Sequence, residues 1–220
     1  MGNHACSAGE LEFYPAMLIV FDGIEGAGKS TQVRHFHQRL KQEGKKIRTL
    51  RDPGGTGLGE ILRGIVKGSE CNITPKAELL LFSAARAQLI EEVMKPALQA
   101  GEYVICDRFF FSTVAYQGRG RGLKEEVQWA IAASVGDFQP GCTFILDISL
   151  DDMRQRVQAR GEVEDRFEQE GEEFFSRVIQ GFQSFTKWPN VETIKAAQAE
   201  EKVSEDIWRI WTEKYASLGN

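Results

Sequence analysis

A single glycine-rich segment, which directly follows a short apolar run, limits what this chain can fold into. The segment reads GIEGAGKS from Gly23 to Ser30 and matches the pattern G-x-x-x-x-G-K-[ST]. Glycines at these positions let backbone N–H groups turn inward around a phosphate, and the helix that follows points its positive end at the same anion. In this pattern Lys29 reaches the β- and γ-phosphates of a nucleotide, and the hydroxyl of Ser30 is a ligand for Mg²⁺. Contacts to the nucleotide are expected from Gly23, Glu25, Gly26, Ala27, Gly28, Lys29, Ser30 and Thr31.

Strand-like and helix-like patterns alternate along the chain. Met17–Asp22 is an apolar run that ends at the glycine loop, as a buried parallel strand does. Further strands are predicted at Ile47–Leu50, Tyr103–Cys106, Thr143–Ile148 and Val191–Ile194. Apolar residues at helical spacing predict helices around Val33–Leu40, over Lys76–Ala100, around Met153–Val157, through Phe174–Phe185 and around Val203–Trp211. Repeated strand–helix units imply an α/β fold, in which a parallel sheet is covered by helices on both faces.

Two segments interrupt this alternation. Arg51–Gly59 (RDPGGTGLG) is rich in glycine and is predicted to be a loop. The polar, charged stretch Arg160–Glu173 separates two helices and is predicted to be a short lid. We expect residues 17–220 to form a single domain of this type. Residues 1–16 contain no Lys or Arg and no long apolar core, so we expect a tag, an upstream start or a loose arm rather than a secretory signal.

Composition argues against several other classes of protein. The chain has 220 residues, 42% of them hydrophobic, which suits one compact domain. Its net charge of −5 argues against a surface that coats nucleic acid. No apolar run approaches the roughly 20 residues of a membrane helix. The four cysteines form no Cys-x-x-Cys pair, and the histidines form no plausible metal site, so free thiols in a cytoplasmic protein are expected.

The glycine-rich loop alone does not say which molecule receives the phosphate. A GTPase would also carry Asp-x-x-Gly and an Asn-Lys-x-Asp motif that reads the base. The first pattern occurs at Asp52–Gly55, but the second occurs nowhere in the chain. The sequence therefore disfavours a GTPase.

Three further motifs narrow the choice. They are RDPGGT at Arg51–Thr56, LFSAAR at Leu81–Arg86, and Asp107–Arg108 followed by STVAYQG at Ser112–Gly118. With these motifs the sequence, from about Met17 to its end, resembles the bacterial thymidylate kinases. The resemblance implies a P-loop NTPase-type fold with a five-stranded parallel sheet, a homodimer packed through helices, and Mg²⁺-dependent transfer of the ATP γ-phosphate to dTMP. Related nucleoside-monophosphate kinases share the P-loop but not this set.

The resemblance assigns the phosphate end of the acceptor site. Arg108 follows a buried strand, so it is expected at the carboxyl end of the sheet, where open α/β sheets bind ligands. The family implies that Arg108 and Arg63 contact the acceptor phosphate and that Asp107 holds Mg²⁺, directly or through water. Asp52 occupies a position that is usually Glu, and is expected near the acceptor sugar or the metal. An Asp107–Arg108 surface salt bridge is the alternative reading of that pair.

The resemblance also assigns the base end of the acceptor site. Phe82 and Arg86 are four residues apart and share a helix face. The family implies that Phe82 stacks on thymine and that Arg86 bonds its carbonyl edge, while core packing is the alternative for Phe82. Thr113 and Gln117 match positions that read the base. Tyr116 matches one that packs under the sugar and disfavours a 2′-hydroxyl.

The lid is expected to supply arginines to the ATP phosphates. The variable positions of the P-loop carry no arginine, whereas Arg156, Arg160 and Arg166 lie in or beside the lid, as in the bacterial type. Because the stretch Gly161–Arg166 is one residue longer than the family pattern, Arg160 is preferred over Arg166. Glu25 matches a position near the 3′-hydroxyl of the acceptor. The expected catalytic residues are Lys29, Arg108 and Arg160.

Three other functions stay open on the sequence alone. The chain could phosphorylate a different small acceptor, act as an ATPase or switch through a partner, or be a silent nucleotide-binding module. An ATPase would not need Arg86, Thr113 and Gln117 together. Intact Lys29 and Ser30 argue against a silent module.

Overall fold

Five parallel strands form the centre of the protein. The computed structural model describes residues 17–68, 72–161 and 166–216. The strands are β1 (Leu18–Gly23), β2 (Ile47–Arg51), β3 (Tyr103–Asp107), β4 (Cys142–Asp147) and β5 (Val191–Lys195), in the order β2-β3-β1-β4-β5. All neighbouring pairs are parallel. The predicted α/β fold with a five-stranded sheet is confirmed, and β1 lies at its middle.

Helices connect the strands. Between β1 and β3 lie α1 (Lys29–Gln42), α2 (Gly57–Lys67), α3 (Pro75–Leu89), a π-helical turn (Ile90–Met94) and α4 (Lys95–Gln99). Between β3 and β4 lie α5 (Phe110–Thr113), a second π-helical segment (Val114–Gly120) and α6 (Lys124–Ser134). The chain continues with α7 (Leu150–Arg160), α8 (Glu172–Gln183) and, after β5, α9 (Glu200–Lys214).

The apolar strands are buried because helices cover both faces of the sheet. Every residue of β1 and β3 is buried, which is why both read as continuous rather than alternating apolar runs. Phe36 of α1 packs its ring 5.5 Å from that of Phe21 in β1 and 5.3 Å from that of Trp211 in α9. Aromatic contacts of this geometry join the sheet to the helices that position the glycine loop.

The segment Arg51–Gly59 is not entirely a loop, which corrects the sequence prediction. Helix α2 begins at Gly57. Thr56 precedes it, and its hydroxyl accepts a hydrogen bond of 2.9 Å from the backbone N–H of Gly59. This N-cap satisfies a donor at the start of the helix and offsets the poor helix propensity of the glycines.

The long helix predicted over Lys76–Ala100 is present, but it contains a π-helical turn. Pro96 follows this turn. Proline has no N–H, and its ring clashes with the carbonyl four residues earlier, which here belongs to Glu92 within the turn. A wider turn at this point is a known way to accommodate such a clash.

Other predictions can be compared only over the described residues. The predicted extension, residues 1–16, lies outside them. Cys106 and Cys142 are buried free thiols, as expected, and burial raises the pKa of each well above its usual value. His35 contacts Glu200 at 2.7 Å and His37 contacts Thr49 at 2.8 Å. Within the described ranges, no helix combines the length and apolar character needed to cross a membrane.

Candidate active site

One cavity of about 470 Å³ opens at the carboxyl edge of the sheet. It brings together almost all the residues expected from the sequence. Those that line it are Glu25, Gly26, Gly28, Lys29, Ser30, Thr31, Asp52, Arg63, Phe82, Arg86, Asp107, Arg108, Thr113, Tyr116, Gln117, Arg156 and Arg160. Gly23 and Ala27 do not line it. The carbonyl of Gly23 accepts a hydrogen bond of 3.0 Å from Arg108, and Ala27 is a buried member of the glycine loop.

The glycine loop turns into α1 as the motif requires. Gly26 and Gly28 have φ angles of 69° and 89°, in the left-handed region that glycine adopts without strain. Lys29 is 7% exposed, and its Nζ donates to the carbonyl oxygen of Ile24 at 2.6 Å. Burial, followed by the repulsion of Arg108, lowers the pKa of Lys29 to about 8. The loop therefore holds a partly desolvated cation at the entrance of a helix.

Ser30 and Asp107 meet at the floor of the cavity. The hydroxyl of Ser30 donates to Oδ2 of Asp107 at 2.7 Å. β1 and β3 are adjacent in the sheet, so their carboxyl ends place these two side chains together. Both offer hard oxygen ligands, and Mg²⁺ commonly binds through one or two such groups while phosphates and waters complete its shell.

Arg108 is held on several sides. Its guanidinium donates to the Gly23 carbonyl, to the Ser112 hydroxyl at 2.9 Å and to Oε1 of Glu25 at 2.9 Å. Its backbone has a φ of 72°, an uncommon conformation for a residue with a side chain. Although burial alone would lower the pKa of Arg108, the Tyr116 hydroxyl and the Glu25 carboxylate raise it. The alternative of an Asp107–Arg108 surface salt bridge is wrong, because Arg108 pairs with Glu25 and Asp22, while Asp107 accepts the hydroxyl of Ser30.

Asp22 fixes the turn that carries Arg108. Its carboxylate is fully buried at the end of β1 and accepts the backbone N–H groups of Phe109 at 3.1 Å and Ser112 at 3.0 Å. It also accepts the Ser112 hydroxyl at 2.6 Å. Burial raises the pKa of Asp22, although Arg108 and these hydrogen bonds act against it. A buried acid with this many donors holds the conformation of the loop after β3.

The end of the cavity that is expected to hold the base contains a buried ion pair. Nε of Arg86 donates to Oδ2 of Asp52 at 2.6 Å, and Nη2 donates to the Thr113 hydroxyl at 2.8 Å. Arg86 is 2% exposed, and burial raises the pKa of Asp52 despite the arginine. Nη1 of Arg86 and Oδ1 of Asp52 are buried without a hydrogen-bond partner. An unpaired buried donor costs about 1–3 kcal/mol, so this N–H is a candidate to bind a ligand.

Aromatic rings form the walls between the two ends. Phe82 lies 5.9 Å from Phe167, centroid to centroid, and Tyr116 lies 5.9 Å from the same ring. The Tyr116 hydroxyl donates to Glu25, and the Arg108 guanidinium lies 5.4 Å above the Tyr116 ring. Phe82 therefore faces the cavity as well as packing on a neighbour.

The three candidate lid arginines occupy different places. Arg156 donates to the carbonyl of Gly26 at 3.1 Å, at the edge of the glycine loop. Arg160 lines the cavity and donates to Glu168 at 2.6 Å. Arg166 is not among the lining residues and bonds instead to a buried glutamate of α3. Of these two arginines, it is Arg160, preferred on the sequence, that lines the cavity.

Several residues of the site were not identified from the sequence. Asp22 and Ser112 support Arg108, and Phe167 closes one wall of the cavity. Glu78 contacts Gln117 at 2.7 Å. One signal was available: Glu78 precedes Phe82 by four residues, which places it on the helix face that also carries Arg86.

Comparisons with known proteins point to one family. Residues 21–207 match the family model described as thymidylate kinase. A thymidylate kinase of Chlorobium luteolum is 49% identical over 175 residues, 76% of this chain and 82% of the relative. One from Deinococcus radiodurans is 40% identical over 201 residues, covering 90% and 97% of the two chains. One from Legionella pneumophila strain Paris is 43% identical over 194 residues, covering 86% and 91%.

Proposed function

The chain belongs to the thymidylate kinase family, and from that premise we propose how its residues transfer a phosphoryl group from ATP to dTMP. The reaction gives dTDP and ADP. The observation that carries the assignment of residues is a single cavity that joins the glycine loop, through Arg108, to the pocket formed by Phe82 and Arg86. A donor and an acceptor nucleotide bound at its two ends would meet at Arg108.

Transfer between two phosphates needs cations more than it needs a base. The second pKa of a phosphate monoester is about 6, so the acceptor is largely a dianion at neutral pH. The enzyme must align two anions and offset their repulsion. We assign Lys29 to the donor phosphates, and Arg108 and Arg63, which also line the cavity, to the acceptor phosphate. We assign Arg160, with Arg156, to the ATP phosphates, where charge develops during transfer.

Arg108 is already oriented for this role. Glu25, Ser112 and the Gly23 carbonyl hold its guanidinium, and Asp22 holds the turn beneath it. A cation fixed before the substrate binds needs little reorganisation when charge moves, which is the main source of electrostatic catalysis. The carboxylate of Glu25 also accepts a hydrogen bond from the Tyr116 hydroxyl. The same carboxylate therefore holds the ring that would lie under the acceptor sugar.

Recognition of thymine is assigned to the base end. Phe82 would stack on the ring, and the unpaired Nη1 of Arg86 would donate to a carbonyl on its edge. Asp52 would act mainly by holding Arg86, because its carboxylate lies 2.6 Å from that guanidinium. Thr113 and Gln117 would complete the polar edge of the site.

Magnesium fits the arrangement. Ser30 and Asp107 would hold it, directly or through water, beside the ATP phosphates. When bound, the ion would offset charge on the phosphate oxygens. We further propose that residues 17–220 form one domain with a lid at about 160–173, and that the protein acts in the cytoplasm on free nucleotides, without nucleic acid.

A homodimer is supported by exposed apolar residues. Leu58, Ile61 and Ile65 are 45%, 64% and 40% exposed, and their spacing places them along one side of α2. Leu80 of α3 and Trp129 of α6 are 51% and 66% exposed. Helices α2 and α6 both pack on α3, so these side chains belong to neighbouring elements. Large exposed apolar groups on adjacent helices are typical of surfaces that bind a partner, here a second copy of the chain.

An acceptor panel tests the function. We expect catalytic efficiency to be highest with dTMP and lower but measurable with dUMP, because a missing methyl is worth about 1–3 kcal/mol. Bases that leave buried polar groups unpaired, as in dCMP, AMP and GMP, are expected to fall behind by ~10⁴ or more. UMP should fall below dUMP if Tyr116 crowds the 2′ position. A higher efficiency with AMP, GMP or UMP than with dTMP would contradict the thymidylate assignment.

A pair of variants ties the panel to the site. Arg86→Ala is expected to reduce dTMP use strongly while leaving ATP binding nearly unchanged, because the two nucleotides occupy opposite ends of the cavity. Arg48→Ala is the matched control, since Arg48 pairs with Glu102 outside the cavity. Equal losses in both variants would show that the base end has been misassigned.

A further inference from the structure

Glu78 is a buried carboxylate that the mechanism above does not use. It lies in the first turn of α3 and is 0% exposed. It accepts hydrogen bonds from Nε2 of Gln117 at 2.7 Å and from Arg121 at 3.3 Å, and Nη2 of Arg166 lies 2.7 Å from its other oxygen. Arg121 in turn pairs with Glu170. A buried carboxylate is costly unless it is paired in this way.

Among the described residues the cluster is balanced in charge, and one of its members lines the cavity. Two arginines, Arg121 and Arg166, face two carboxylates, Glu78 and Glu170. The fifth member, Gln117, is neutral, and it alone among the five lines the cavity. Gln117 is therefore the member that can carry hydrogen bonding from the cluster to a bound base, whereas Arg121 and Arg166 reach the cavity wall through the ring of Phe167, which lies 5.8 and 4.8 Å from their guanidinium carbons.

Glu78 determines which end of the Gln117 amide can face a ligand. A carboxylate accepts hydrogen bonds and donates none, so only the NH₂ end of the amide can bind it. Rotation of the amide by half a turn would place two oxygens against each other. The amide therefore has one acceptor, its carbonyl oxygen, to offer to the base end of the cavity, where Phe82, Arg86 and Thr113 also lie.

We propose, on the basis of the function assigned above, that Glu78 is a positioning residue that orients Gln117 to accept a hydrogen bond from the acceptor base. The matching donor is an imide N–H, which thymine and uracil carry at ring position 3. Cytosine has an unprotonated nitrogen at that position, so two acceptors would meet. Glu78 thus selects imide bases without touching them.

The placement of Glu78 in the fold agrees with this role. Glu78, Phe82 and Arg86 follow at intervals of four along α3 and form one stripe. Two members of the stripe act on the base directly, by stacking and by hydrogen bonding. Glu78 acts on the base indirectly, through Gln117 of the neighbouring π-helical segment.

The test is the ratio of catalytic efficiencies for dTMP and dCMP in Glu78→Gln. A glutamine at this position can donate as well as accept, so the amide of Gln117 is free to turn and to offer its NH₂ to cytosine. We expect the dTMP:dCMP ratio to fall by about tenfold, the worth of one hydrogen bond to a correctly presented group. The dTMP:dUMP ratio should not change, because both bases carry the imide N–H. Both ratios are independent of the fraction of protein that is folded.

Two further variants separate positioning from a structural role. Glu170→Gln breaks the pair with Arg121 but leaves the Glu78–Gln117 contact, so its dTMP:dCMP ratio should equal that of the wild type. In Gln117→Met the ratio should fall, and adding Glu78→Gln should lower it no further. Glu78→Asp, which keeps the charge but withdraws the carboxylate by one methylene, should resemble Glu78→Gln and serves if that variant does not fold.

The outcomes are distinguishable. If the wild type prefers dTMP and Gln117→Met weakens that preference, while Glu78→Gln and Glu78→Asp keep the wild-type ratio, then Glu78 has only a structural role and the inference is overturned. An equal loss of efficiency for every acceptor in both Glu78 variants leads to the same conclusion. If the wild type shows no preference for dTMP, it is the proposed function that fails.

Discussion

Replacing Lys29 by methionine should abolish activity and stabilise the fold at neutral pH. We assign Lys29 to the phosphates of ATP, so turnover of Lys29→Met is expected to fall by orders of magnitude. The stabilisation follows from the folded-state pKa, which burial lowers from 10.5 to about 8. A tenfold change in proton affinity corresponds to about 1.4 kcal/mol, so holding the charged lysine in this site costs about 3 kcal/mol.

The dependence of this cost on pH identifies its origin. Below about pH 8 Lys29 is protonated in the folded and unfolded states, and the full cost is present. Between about pH 8 and 10.5 the unfolded chain binds the extra proton, so the free energy of unfolding of the wild type rises with pH. Above about pH 10.5 both states are neutral and the cost is gone. Methionine has no such group at any pH.

A smaller effect opposes the gain. The variant loses the hydrogen bond of 2.6 Å from Nζ to the Ile24 carbonyl, which is worth about 1 kcal/mol at every pH. The net stabilisation near pH 7 is then about 2 kcal/mol, or roughly 4–8 °C in Tm for a chain of this length.

Urea unfolding of both proteins, followed by circular dichroism, measures the effect. The free energy of unfolding of the variant minus that of the wild type should fall by about 3 kcal/mol from about pH 7 to pH 10.5, from about +2 to about −1 kcal/mol. Titrations common to both proteins cancel in this difference. A difference that stays constant over the range, or a variant that keeps near wild-type turnover, would refute the reasoning.

Two further predictions concern the base pocket and the proposed dimer. Asp52→Asn leaves Arg86 buried without its counter-charge, so Tm should fall by about 10 °C and catalytic efficiency with dTMP should fall. Glu102→Gln, in an exposed ion pair, should change neither quantity. Equal Tm values for the two variants would contradict the importance of the buried pair. Trp129→Glu places a charge on the proposed interface, so the variant should sediment as a monomer at concentrations where the wild type is a dimer. A wild type that itself sediments as a monomer would contradict the proposed dimer.

The sequence was sufficient to predict the sheet and the glycine loop that precedes α1. β1 and β3 are buried on both faces, so each appears as an uninterrupted apolar run that needs no tertiary information to interpret. The glycine loop can also be identified from the sequence alone, because binding a phosphate requires glycines at this spacing. Burial of a strand and the glycine spacing of a loop depend on consecutive residues, so both can be predicted directly from the sequence.

Other elements depend on contacts that the sequence does not display. The start of α2 within a glycine-rich segment depends on one hydroxyl, that of Thr56, at the capping position. The contacts of Glu78 depend on Arg121 and Arg166, which are distant along the chain and come close only in the folded protein. Asp22 looks like the end of an apolar strand until its donors, which follow β3, are seen around it.

The π-helical segment Val114–Gly120 limits how the chain can change in length. A π-helical turn closes with a hydrogen bond between residues five apart, one more than in an α-helix. Deleting a single residue here would therefore let the segment relax into ordinary α-helix. Residues beyond the segment would keep their helix faces, because the wider π-turn already accommodates one extra residue. Tyr116 and Gln117 lie inside the segment, so the deletion would change which side chains face the cavity even though the other amino acids were unchanged. A substitution in this segment changes one side chain, whereas an insertion or a deletion would move several residues of the cavity wall at once.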